Sequence, residues 1–238
     1  MQKKNPGALI DRKEFYRNLA RLALPIALQS LMLAAVAAGD ALMLGKVAQD
    51  EMTAVSLATQ IQFVQNMFLS AVTGAGAILG AQYWGKGDRR TLEDVFNMML
   101  RLCGLVSVMF FLACELMPEL LMHIFTHDAA LIAIGSAYLR VAGWSYLLTG
   151  ISQCYLTVMK VSDHVRPGAL ISCCAVVLNI VLNAVFIFGL LGAPRMQARG
   201  AALATTISRV VELGLCLAAT GGSSYVRPAF GRFLKQPG

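Results

Sequence analysis

Hydrophobic residues fall in six long blocks separated by short polar connections. The blocks run roughly Leu22 to Leu44, Thr53 to Tyr83, Val95 to Leu116, Leu131 to Met159, Pro167 to Leu191 and Gly200 to Ala219. About 20 consecutive apolar residues cross a bilayer as a helix, so each block predicts one span. The second block is longer than one bilayer thickness and carries no charge, so it must tilt, kink or protrude. The pattern predicts an all-α, polytopic membrane protein: a six-transmembrane-helix bundle over residues 22–220. Residues 1–21 read as a charged amphipathic arm on the membrane surface, and residues 221–238 as a basic tail.

Composition agrees with this reading. The chain of 238 residues is 57% hydrophobic and 14% charged, against about 25% charged in soluble domains. The formal net charge of +7 would point to nucleic acid or an acidic partner in a soluble protein. Here its placement accounts for it. The arm (Lys3, Lys4, Arg12, Lys13, Arg17, Arg21), the second connection (Lys86, Arg89, Arg90), the fourth (Lys160, Arg166) and the tail (Arg227, Arg232, Lys235) all fall on one side. The other side has Lys46, Arg195 and Arg199, a ratio of fourteen to three. The positive-inside rule then predicts a multi-pass protein of the plasma (inner) membrane with both termini cytoplasmic. No nucleic-acid partner is implied.

The six cysteines, Cys103, Cys114, Cys154, Cys173, Cys174 and Cys216, lie in or beside apolar blocks and form no CxxC. They read as small hydrophobes and not as a disulfide or metal framework. His123, His127 and Asp128 cluster in the third connection, where a solvated loop is the expected state. No Ser/His/Asp or Cys/His arrangement suggests a membrane hydrolase, and no GxxxxGK[ST] suggests ATP use. The chain is therefore not expected to be an enzyme.

The candidate chemistry lies in polar residues inside the apolar blocks. Asn179 and Asn183 interrupt a run with no charge between Pro167 and Pro194. At i and i+4 they share one helix face, and lipid cannot satisfy their amides. They should face the bundle interior or a wet cavity, as helix–helix glue or as ligands. Asp40, near the end of the first block, has no basic residue within five positions. An intramembrane carboxylate must be paired, protonated or bound to a cation, so Asp40 is a candidate to exchange a proton for a cation. Pro25 sits three residues into the first block, as a kink and hinge or as a first-turn proline. Gln62, Gln65 and Asn66 fall at i, i+3 and i+4 and are candidates to line a cavity. Gly76 and Gly80 have the spacing of close helix packing. Arg209 and Glu212, three apart, are expected to form a structural ion pair.

The order of NLARLALPIALQSL, AAGDALMLGKV, GAILGAQYWGKGD, AYLRVAG, NIVLNAVFIFG and RGAALATTISR resembles the N-terminal lobe of the multidrug and toxic compound extrusion (MATE) transporters, from about Asn18 to Thr220. The resemblance implies efflux of cationic drugs and toxic compounds by antiport with Na+ or H+. It implies twelve spans in two lobes and no cofactor beyond the coupling ion. Asp40 matches the family's first-span aspartate, Asn179 its fifth-span asparagine, Tyr138 a tyrosine near that site, and Pro25 the proline where the first span bends. The only metal implied is Na+ at Asp40. Asn183 stands where many members carry aspartate, so Asp40 would be the only carboxylate there. A chain of this length accommodates one lobe, so a second lobe, from a copy of itself or a separate chain, is expected as a partner. Two alternatives stand beside transport. One is a truncated, non-transporting lobe or structural partner subunit. The other is a lipid or glycan flippase of a related fold, whose cavity would be richer in Arg and Lys.

Overall fold

The structure is a computed structural model. It describes residues 16, 23–24, 27–28, 30–31, 48–192, 194–221, 226 and 228. The first predicted span, with Pro25 and Asp40, lies mostly outside the described residues. The five others are present as helices: α1 (Gln49–Lys86), α2 (Arg89–Leu116), α4 (Ala129–Val161), α5 (Val165–Phe188) and α6 (Gln197–Thr220). All five are long and apolar enough to cross a membrane. A short helix, α3 (Pro118–His123), follows α2, and a single 3-10 turn (Leu190–Gly192) follows α5. Among the described residues there is no strand.

The helix ends follow from local chemistry. Asp88 caps α2, its Oδ1 accepting from Thr91 N at 3.1 Å. Asp128 caps α4, accepting from Ala130 N at 2.8 Å. Each satisfies a backbone donor that the helix itself cannot. Pro118 opens α3 at a position where its missing N–H costs nothing. Gly189 ends α5 in the left-handed region at φ 72°, which a side chain would resist. At 38 residues, α1 is about 57 Å long at 1.5 Å per residue. It therefore protrudes beyond a hydrocarbon core of about 30 Å. Most sequence-predicted ends differ from the observed ones by a few residues, the widest gap being the start of α2, predicted at Val95 and observed at Arg89, because hydropathy does not register caps or polar end turns.

The central element is α4. Half of its most apolar stretch is buried, against 22–39% for the other spans. It packs against α1, α2 and α6, while α5 packs mainly on α6 and touches α4 less extensively. Lipid tails are as apolar as leucine, so close backbone approach takes over from hydrophobic drive. A Cβ at Gly150 of α4 would collide with Ser107 Oγ of α2 and come within 3.0 Å of the Cys103 carbonyl oxygen. At Gly76 of α1 it would overlap the Met99 side chain, and at Gly80 it would come within 3.0 Å of Leu92. Large apolar side chains of α2 such as Leu102, Leu105, Met109 and Leu116 stay exposed, as a lipid-facing surface should.

Candidate functional site

Asn179 and Asn183 face inward, on the side of α5 that meets α6. Asn183 is fully buried and Asn179 is 8% exposed. Asn183 Nδ2 donates to Asn179 Oδ1 at 3.2 Å. Asn179 Nδ2 donates onward to Thr205 Oγ1 of α6 at 3.3 Å. Thr205 in turn donates to Ala201 O at 3.0 Å. The result is a directed chain of amide and hydroxyl groups crossing from one span to the next. Its oxygens are neutral donors of electron density, suited to a hard cation that prefers oxygen ligands.

Tyr138 is 5% exposed and sits in the hydrophobic core cluster with Ile187 and Ala201. Ile187 lies one turn beyond Asn183, and Ala201 is the carbonyl acceptor of Thr205. Asp40 and Pro25 lie outside the described residues.

The three amides of α1 separate. Gln65 is fully buried and donates to Tyr146 O of α4 at 2.9 Å, with Ser107 Oγ of α2 at 3.5 Å. It joins α1 to its neighbours inside the lobe. Gln62 is half-buried and Asn66 exposed. Gln60, also exposed, lies on nearly the opposite side of the helix from Gln62 at 3.6 residues per turn, and Asn66 presents its amide on the open face of α1. Lipid offers such groups no hydrogen bonds, so that face suits a wet cavity or another lobe.

Arg209 and Glu212 form an ion pair, Nη1 to Oε2 at 2.7 Å. Ser152 Oγ of α4 adds a hydrogen bond to the same oxygen at 3.2 Å. Ser152 belongs to a buried ladder on α4 with Ser145 and Thr149, at i, i+4 and i+7. The sequence pattern did not single out this ladder, although its helical spacing was there to be seen. Nor did it single out Glu51, whose Oε2 accepts from Ala198 N at 2.9 Å. That carboxylate caps α6 from α1. No local pattern could have shown this, since the partners lie on different helices. Beside it lies a cleft of about 490 Å³ lined by Glu51, Ala133, Ala137, Arg195, Gln197 and Arg199. It is rich in arginine, unlike the surroundings of the two asparagines.

A family model, MatE, matches residues 25–185. A probable multidrug resistance protein NorM of Bradyrhizobium diazoefficiens is 28% identical over 215 residues, covering 90% of this chain and 45% of the relative. The multidrug resistance protein MdtK of Yersinia enterocolitica is 26% identical over 194 residues, covering 79% and 41%. The chain therefore spans about half the length of the curated relatives it matches. The bent form of the Vibrio cholerae MATE transporter VcmN superposes with a TM-score of 0.81 at 17% identity, over 92% of this chain and 49% of that one. The MATE multidrug transporter DinF-BH gives 0.81 at 20% identity, over 94% and 50%. At these identities the structural likeness concerns the fold alone.

Proposed function

The chain belongs to the MatE family, and from that premise we propose that it serves as one lobe of a secondary efflux transporter, exchanging Na+ or H+ for cationic drugs and other toxic compounds. The observation that carries this reading is the buried chain Asn183–Asn179–Thr205 across two membrane-spanning helices. A membrane interior tolerates such groups where they have work to do or partners to satisfy them.

In this reading Asp40 is the ion-exchanging carboxylate, and Asn179 and Asn183 are neutral oxygen ligands. Tyr138 is a hydrogen-bonding group beside them. With asparagine at position 183, one carboxylate carries the exchange. Ion release acts through the free-energy difference between loaded and empty states, and Pro25 is the hinge that registers it. Gln62 and Asn66 line the cavity in which the drug binds. A second copy of the chain or a separate lobe closes that cavity. In this reading the lobe sits in the plasma membrane with both termini cytoplasmic, which the excess of Lys and Arg in the arm, the second and fourth connections and the tail supports.

The test is flux in proteoliposomes. A cationic dye gradient should drive counterflow of Na+ or H+, and Asp40→Asn should abolish it. Absence of flux, together with no effect of Asp40→Asn on dye binding, sinks the proposal. The half-length match to the curated relatives favours one competing reading, a lobe that does not transport. That reading predicts monomers in membrane crosslinking and no dye efflux in parallel.

A further inference from the structure

We infer that His123 and His127 form a two-imidazole site for a divalent late transition-metal ion, of the Ni(II), Cu(II) and Zn(II) class, where α3 turns into α4. His123 is the last residue of α3, and His127 follows four positions later, just before Asp128 caps α4. Both residues are exposed, so an ion and its waters have room beside them. The connection is solvated, as its sequence suggests, and the structure also brings the two rings to 6.3 Å between centroids, at 70° to one another.

That separation fits a shared ion. Metal–nitrogen bonds to imidazole are about 2.0–2.1 Å, which puts each ring centroid about 3.2 Å from a bound ion. Two rings on one ion therefore lie between about 4.5 and about 6.4 Å apart as the angle at the metal opens from a right angle to a straight line. A shift of about 1 Å at each ring reaches the right angle, and exposed side chains make such moves freely. The backbone between the rings is already fixed. Phe125 N and Thr126 N both donate to Met122 O, at 3.0 and 3.1 Å, and Asp128 N donates to Thr126 Oγ1 at 3.2 Å. Met122 is fully buried, packed where a Cβ at Gly135 of α4 would overlap it. The turn that carries both rings is thus anchored on α4, and little ordering cost opposes binding.

Ligand type selects the ion. Imidazole suits Zn, Cu and Ni, whereas Mg2+ and Ca2+ prefer oxygen and Cu(I) prefers sulfur. Asp128 is engaged as a cap through Oδ1, and among the described residues no group of three or more His, Cys, Asp or Glu is placed to hold a metal. Two imidazoles and bound waters therefore make up the coordination shell, which suits an exchangeable ion and not the closed four-ligand shell of a structural zinc. Glu119, one turn before His123 on α3, and Asp128 add negative charge that concentrates cations there. The bound ion ties the end of α3 to the start of α4.

The experiment uses the full chain, purified in detergent without a polyhistidine tag. It is titrated with NiCl2 by calorimetry, and the loaded protein is examined by X-ray absorption. Ni(II) is the probe because, unlike Cu(II), it does not oxidise thiols such as that of exposed Cys174. We expect one ion per chain with two imidazole neighbours. The chain has three histidines, so three substitutions cover every candidate ring. His123→Gln and His127→Gln should each weaken binding by about tenfold or more, because one ligand of a linked pair is lost. His164→Gln, beyond the far end of α4, should leave it unchanged. No saturable binding to the unaltered chain, a sulfur or a single imidazole in the shell, undiminished binding in either variant of the pair, or loss in His164→Gln overturns the inference. Both members of the pair are exposed, so their substitution leaves the core intact. Every readout is of the metal, and so is independent of whether the lobe transports.

Discussion

Asn183 donates an amide hydrogen to Asn179 across one turn of α5, Nδ2 to Oδ1 at 3.2 Å, and Asn179 passes the connection to Thr205 of α6 at 3.3 Å. Asn179 is thus the link in the chain. One of its bonds runs along its own helix and the other crosses to the next.

This link predicts a measurable coupling between two helices. Hydrogen bonds between membrane helices contribute about 0.6 kcal/mol on average and up to about 1.7 kcal/mol. Asn179→Ala and Thr205→Val each break the α5–α6 bond, so the double variant should cost less than the sum of the two single ones. The shortfall should fall in that range. Unfolding in mixed micelles, run as a double-mutant cycle, measures it directly. Strict additivity would mean that this bond does not hold α5 against α6.

An asymmetry concerns the ion pair of α6. The Arg209 side chain is 22% exposed and that of Glu212 is 3% exposed. Glu212→Ala leaves an arginine that reaches water by extending its chain. Arg209→Ala leaves a carboxylate in the interior with the Ser152 hydroxyl at 3.2 Å. Removing one member of a fully buried pair costs about 3–5 kcal/mol. Arg209→Ala should approach that range, and Glu212→Ala should fall well below it. Midpoints of reversible unfolding would measure the difference.

Two glycines separate close packing from helix propensity. Gly150→Ala must displace Ser107 Oγ and press on the Cys103 carbonyl oxygen, an overpacking cost of about 1–3 kcal/mol. At Gly104 on α2 an added Cβ would have nothing within 4 Å. Gly104→Ala should therefore be neutral or stabilising by up to about 1 kcal/mol, the propensity difference. A thermal-shift comparison of the two variants would show opposite signs.

One carboxylate outside the spans makes a pH prediction. Hydrogen bonds from the Thr91 side chain and backbone hold the Asp88 carboxyl below its ordinary 3.8. A carboxyl whose folded pKa is depressed favours folding above its unfolded pKa, and that contribution is lost as pH falls through the folded value. The start of α2 should keep its cap down to pH values below 3.8 and fray only beneath that. Asp88→Asn, which retains a capping oxygen without the titrating group, should remove this acid-dependent fraying. Amide hydrogen exchange at residues 90–92, followed across the acid range, would test it.

The order of the blocks carried most of the fold. A run of apolar residues of bilayer length must hydrogen-bond its own backbone in lipid, which leaves the helix as its form here. Five spans could be located this way without knowing what they touch. The same local physics turned Asn179 and Asn183 to one face, because 3.6 residues per turn stack positions four apart. The ion pair of Arg209 and Glu212 was likewise a matter of one helix.

Partners on different helices were a separate matter. Gln65 has the same spacing to Gln62 and Asn66 that a cavity stripe would have, yet it lies among α2 and α4, bonded to Tyr146. Nothing along α1 distinguishes it, because the rotation of a helix about its axis is set by what packs against it. Ser152 meeting Glu212 and Glu51 capping α6 arise in the same way. Hydropathy and periodicity are properties of a single helix and are written in its own residues. Which two helices touch, and at what turn, depends on the summed packing of the bundle, and only the tertiary structure decided it.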